Sequence, residues 1–81
     1  MPAIIMPNSV YFDVLLEKMA LKYKHEDVIT IDGVKINFKS EWVHLRKSNT
    51  EPIIRIYTES TSQESADTLA IRFINEIKAI I

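Results

Sequence analysis

The chain holds a single glycine, Gly33, and it stands between two runs rich in β-branched residues. Val28-Ile29-Thr30-Ile31 comes before Asp32-Gly33, and Val34-Lys35-Ile36-Asn37-Phe38 follows in strict alternation. Asp-Gly between two such runs is the strongest short-range hairpin signal, because a type I′ turn needs positive φ at both central positions. Alternation then fixes the faces. Val34, Ile36 and Phe38 point one way and Lys35, Asn37 and Lys39 the other, so the predicted sheet has one dry and one wet side.

The rest of the chain falls into place around that hairpin. Asn8 and Ser9 are candidate caps for a helix over roughly residues 9–23, where Phe12, Leu15, Leu16, Met19 and Tyr23 recur at helical steps. Lys24-His25-Glu26-Asp27 is a polar break. Lys39-Ser40-Glu41 is a second turn, Trp42-Val43-His44-Leu45-Arg46 a third strand, and Ile53–Glu59 a fourth after a polar loop. Thr61 and Glu64 have capping-box spacing before Ala66, Leu69, Ala70, Phe73, Ile74 and Ile77, which form the apolar face of a last helix. Residues 1–7, bounded by Pro2 and Pro7, suit either a short edge strand or the ordered remnant of a connection. The expected fold is therefore α+β. It is a two-layer sandwich of a four-stranded antiparallel meander with two amphipathic helices on one face, a single domain over 1–81.

Composition narrows the function. Eighty-one residues, 47% hydrophobic, with a formal net charge of −1, describe one small folded unit and not a disordered chain. A general nucleic-acid binder would carry a basic surplus, which is absent. No apolar run approaches the roughly 20 residues of a membrane-spanning helix. The absence of cysteine rules out disulfides and thiolate metal sites and fits a cytoplasmic setting. His25 and His44 stand near no other ligand at metal spacing, and no phosphate-binding glycine loop, nucleophile elbow or zinc-protease motif occurs.

One segment stands out. Arg46-Lys47-Ser48-Asn49-Thr50 packs a guanidinium, an ammonium, two hydroxyls and an amide between two strands. All can donate hydrogen bonds, and the arginine fork matches two oxygens of a phosphate. Successive loop N–H groups can add an anion nest. The same residue types also make an ordinary polar hairpin loop. No base or nucleophile stands beside them, so a phosphate held here would be gripped and not transferred.

Arg46-Lys47-Ser48-Asn49-Thr50-Glu51-Pro52 resembles the Arg-x-Ser-Asn-Thr-Glu-Pro signature in the C-terminal, fourth domain of the α-D-phosphohexomutases. The hairpin, Trp42, the strand from Ile53 and the last helix agree with that placement, so the resemblance covers residues 28–81 well and the first helix more loosely. It implies a TATA-binding-protein-like sandwich. It also implies an enzyme that interconverts 1-phospho and 6-phospho sugars, with its phosphoserine and its Mg2+ site in other domains. The domain would be inactive alone, closing over a mannose or glucose phosphate and holding the phosphate that is not reacting. Carried over, Arg46, Ser48, Asn49 and Thr50 would be the phosphate ligands, Lys47 the variable position, and Glu51 and Pro52 loop-shaping residues. Asn49, where phosphoglucosamine mutases usually have glycine, implies the phosphomannomutase/phosphoglucomutase branch. The Lys39-Ser40-Glu41 turn departs from relatives that often carry glycine there. The competing reading is a stand-alone protein-interaction module. Nucleic-acid binding by analogy of fold fails on charge.

Overall fold

The computed structural model describes residues 3–5, 11–47 and 53–80. The elements, in chain order, are β1 (Ala3–Ile5), α1 (Tyr11–Lys22), β2 (Asp27–Ile29), β3 (Val34–Asn37), β4 (Trp42–Lys47), β5 (Ile53–Glu59) and α2 (Gln63–Ile80). Strands β2 to β5 form the expected antiparallel meander. β1 joins it as a fifth strand along β5, with Ile5 opposite Ile53 and Ala3 opposite Arg55, so the sheet order is β1-β5-β4-β3-β2. Of the two readings of residues 1–7, the edge strand is the one adopted by residues 3–5.

Both helices cover one face, and the cross-strand rungs explain why. Val34 lies opposite Leu45, which lies opposite Ile56, and Ile36 lies opposite Val43. These side chains share a face and are buried, as is Ile54. Leu15, Leu16, Met19 and Tyr23 of the first helical segment and Leu69, Ala70, Phe73 and Ile77 of α2 complete one core. Each fully buried aliphatic or aromatic side chain contributes roughly 1.5–3 kcal/mol relative to leaving it in water, an upper figure for a small domain. The side chain of Phe12 and the caps Asn8 and Ser9 lie outside the described residues.

The β2–β3 turn differs from the sequence expectation. Asp27 pairs with Asn37, Val28 with Ile36 and Ile29 with Lys35. That register leaves Ile31-Asp32-Gly33 as a three-residue tip, one residue longer than a type I′ turn allows. Among the described residues only Gly33 has positive φ, at 71°. A three-residue hairpin needs a single left-handed position at its end, and glycine takes it. Burial decides the register. A two-residue turn would slide β2 by one place and turn Val28 from the core to the wet face. In the observed pairing Val28 packs against the core beside Ile36. The cost falls on Ile31, which is 94% exposed at the tip.

The start of α2 is also shifted by one residue. Ser62, not Thr61, caps it: the Ser65 N–H donates to Ser62 Oγ at 3.1 Å. Thr58 of β5 donates to the Ala66 carbonyl at 2.9 Å and ties strand to helix.

Candidate functional site

The strand β4 ends at the candidate loop, and its last two residues point to opposite sides of the sheet. Arg46 follows His44 and Trp42 on the open face; Lys47 follows Val43 and Leu45 on the helix face. Each finds a carboxylate. Arg46 Nη2 lies 3.0 Å from Asp32 Oδ2, and Lys47 Nζ lies 3.2 Å from Asp13 Oδ1. Asp32 comes from the β2–β3 tip and Asp13 from the first turn of α1. These four residues, with Glu17, Thr30 and Gly33, line a groove of about 430 Å³ at the end of the sheet.

The turn that supplies Asp32 is fastened to β4 through its backbone. The ring Nε2 of His44 lies 2.6 Å from the Asp32 carbonyl, which can only accept, so Nε2 carries the proton. A Cβ on Gly33 would stand 2.2 Å from the Leu45 carbonyl oxygen, so the two backbones run in contact. His44, set aside as a metal ligand on sequence grounds, takes a structural part here and anchors the turn that faces Arg46. His25 stays in its polar break, stacked 6.3 Å from the Tyr23 ring.

Ser48, Asn49 and Thr50, expected as ligands beside Arg46, and Glu51 and Pro52 lie outside the described residues. The flanking rungs still define where they attach. Lys47 is opposite Ile54 and Arg46 is opposite Arg55, so the loop leaves and re-enters the sheet at adjacent strands. Sequence reasoning missed Arg55. A hairpin closing evenly over residues 48–52 would set Ile54 level with Arg46; the observed register is offset by one residue and sets Arg55 there, which only the fold reveals. Two arginine positions thus face each other at the base of the loop.

A second polar cluster lies at the far end of the helices. Tyr23 Oη lies 2.7 Å from both carboxylate oxygens of Glu76, and Arg72 Nη2 donates to Tyr23 Oη at 2.9 Å. Lys22 Nζ pairs with the same carboxylate. Burial alone would push Glu76 up, but the hydrogen bonds from Lys22 and Tyr23 and the charges of Lys22 and Arg72 hold it below its ordinary value. These contacts staple α1 to α2 and use every charge they contain. Among the described residues, no group of three or more His, Cys, Asp or Glu is placed to hold a metal ion.

The family model for the C-terminal domain of phosphoglucomutase/phosphomannomutase matches residues 7–76. The chain belongs to this family. Curated relatives agree. A probable phosphoglucosamine mutase of Methanopyrus kandleri is 35% identical over 66 residues, which is 82% of this chain and 15% of the relative. A phosphoglucosamine/phosphogalactosamine mutase of Sulfurisphaera tokodaii is 51% identical over 53 residues, 65% of this chain and 11% of the relative. A phosphoglucomutase/phosphomannomutase of Thermococcus kodakarensis is 57% identical over 37 residues, 46% of this chain and 8% of the relative. The phosphohexomutase domain described here thus spans no more than about 15% of the length of these mutases. Among its described residues, no helix is long and apolar enough to cross a membrane.

Proposed function

We propose that this domain is the phosphate clamp of a phosphohexomutase. It grips the phosphate that is not being transferred while a hexose phosphate is converted between its 1- and 6-phospho forms. The observation that carries the reading is the seven-residue signature 46–52, held between β4 and β5 with Arg46 at its base. Arg46 supplies a two-pronged, permanently charged donor. Ser48, Asn49 and Thr50 add hydroxyl and amide donors, and Arg55 brings a second guanidinium to the same end of the sheet. Such a grip contributes binding energy remote from the reacting bond and orients the sugar for transfer elsewhere. Closing the domain over the substrate excludes water that would hydrolyse a phosphoenzyme.

The chain supplies no nucleophile in this reading, and no step is assigned to a metal in it. Magnesium and the phosphoserine belong with the rest of the enzyme, whose other domains are the clamp's physical partners in a cytoplasmic setting. We take Asn49 to favour mannose and glucose phosphates, although relatives named for amino-sugar phosphates match the chain as well.

An amide NMR titration of the 81-residue chain with glucose 1-phosphate, mannose 1-phosphate and glucosamine 1-phosphate tests this reading. Binding is expected in roughly the millimolar range, since most of the substrate site is missing. Shifts should concentrate at residues 46–50 and vanish in Arg46→Ala. Equal shifts in Arg46→Ala would refute the clamp. Equal affinity for the three sugars would remove the branch assignment and leave the clamp standing.

A further inference from the structure

The groove beside Arg46 carries more negative than positive side chains. Asp13, Glu17 and Asp32 line it against Arg46 and Lys47, and both cations are already paired. A phosphate dianion entering such a groove meets a net charge of its own sign. It also meets a carboxylate whose oxygen stands 3.0 Å from Arg46 Nη2, one of the positions a phosphate oxygen would take.

Asp32 is not there by chance of a flexible side chain. Its carbonyl is held by His44, and its neighbour Gly33 lies against the Leu45 carbonyl. The backbone of β4 and the tip of the β2–β3 turn therefore form one rigid piece, which delivers the Asp32 carboxylate to Arg46. The side-chain pair itself is loose. Arg46 is 45% exposed and Asp32 66% exposed, and an ion pair so open to water adds little to the stability of a fold. It can be exchanged at small cost.

We propose that Asp32 is an internal counter-anion. Its carboxylate pairs with Arg46 Nη2 while no phosphate is bound and is displaced when one binds, so that it sets the affinity of the clamp. The inference rests on the phosphate-clamp reading. Asp32 gives Arg46 a counter-charge until a phosphate arrives. It also makes the site selective, because only an anion that brings more charge and more acceptor oxygens than a carboxylate can evict it. Asp13 stands in the same relation to Lys47 on the other side of the strand.

Inorganic phosphate at pH 8, titrated into the 81-residue chain at low ionic strength, is the probe. Asp32→Asn removes the charge but keeps an Asn-Gly turn, which hairpins accept readily. It is expected to tighten phosphate binding about three- to tenfold, with the gain shrinking to under about twofold at 0.5 M salt. In the unaltered chain, the Asp32 carboxyl carbon resonance should move with the same midpoint as the Arg46 Nε resonance. That second measurement needs no variant to fold. An Asp32 carboxyl signal that stays still while Arg46 Nε shifts overturns the proposal, as does an Asp32→Asn chain that binds phosphate equally or more weakly. In both of those cases the clamp survives, provided Arg46→Ala abolishes binding. If Arg46→Ala binds phosphate as well as the unaltered chain, the clamp reading falls and the counter-anion with it.

Discussion

Gly33 answers two demands at one position. Its φ of 71° is open to glycine and costs an alanine roughly 1–2 kcal/mol. Its missing side chain also leaves room for the Leu45 carbonyl, which a Cβ would meet at 2.2 Å. Strand β4 would have to move away, and Asp32 with its hold on Arg46 would move too. Gly33→Ala is therefore expected to lower stability by about 2–4 kcal/mol, a large part of the roughly 4–12 kcal/mol available to a domain of this size. Urea unfolding of the variant measures it through a lower midpoint at unchanged slope. At this scale the site was half legible. Arg46 announced itself through its neighbours in sequence. Asp32 and Asp13 did not, because each lies a dozen or more residues from the cation it pairs with and only the fold joins them.

Elements were more legible than their edges. The two helices follow from apolar steps of three and four, and β3, β4 and β5 from alternation and β-branching. What sequence alone left undecided was register. Asp-Gly fits a two-residue or a three-residue turn, and the choice was made by Val28, which must share a face with Ile36 to reach the core. The head of α2 shows the same limit. Thr61 and Glu64 have capping-box spacing, yet Ser62 and Ser65 stand one step later and make the bond. Ser62→Ala should cost about 1 kcal/mol, seen as a fall of about 4–8 °C in Tm, whereas Thr61→Ala should shift Tm by less than about 3 °C. Calorimetry on both variants checks which hydroxyl is the cap.

At the scale of the whole molecule, the two helices cover one sheet face and are tied to each other by Glu76. Its carboxylate receives Tyr23 and pairs with Lys22 and Arg72. Because these partners hold Glu76 below its ordinary 4.5, its folded form binds its proton less readily than the unfolded chain. The associated stability is present above that value and lost as pH falls through the depressed one. Glu76→Gln should cost roughly 1–2 kcal/mol at pH 7 and flatten the acid limb of the stability curve below pH 4.5, where the two proteins should converge. Denaturant unfolding from pH 7 down to pH 2.5 measures it, and parallel curves would show that Glu76 does not set the acid limb. The Tyr23 phenol behaves in the opposite sense. Burial, then its bond to Glu76, raises it above 10.0, so its contribution lasts to alkaline pH and fades as pH rises through the raised value.

The fifth strand gives the sheet a mechanical property. β1 is three residues long, and its last rung joins Ile5 to Ile53, the first described residue after the candidate loop. The segment that leads into α1 and the strand that leaves the loop are therefore yoked through one pair of backbone positions. Main-chain pairing at that rung joins, at the edge of the sheet, two positions that lie far apart in sequence.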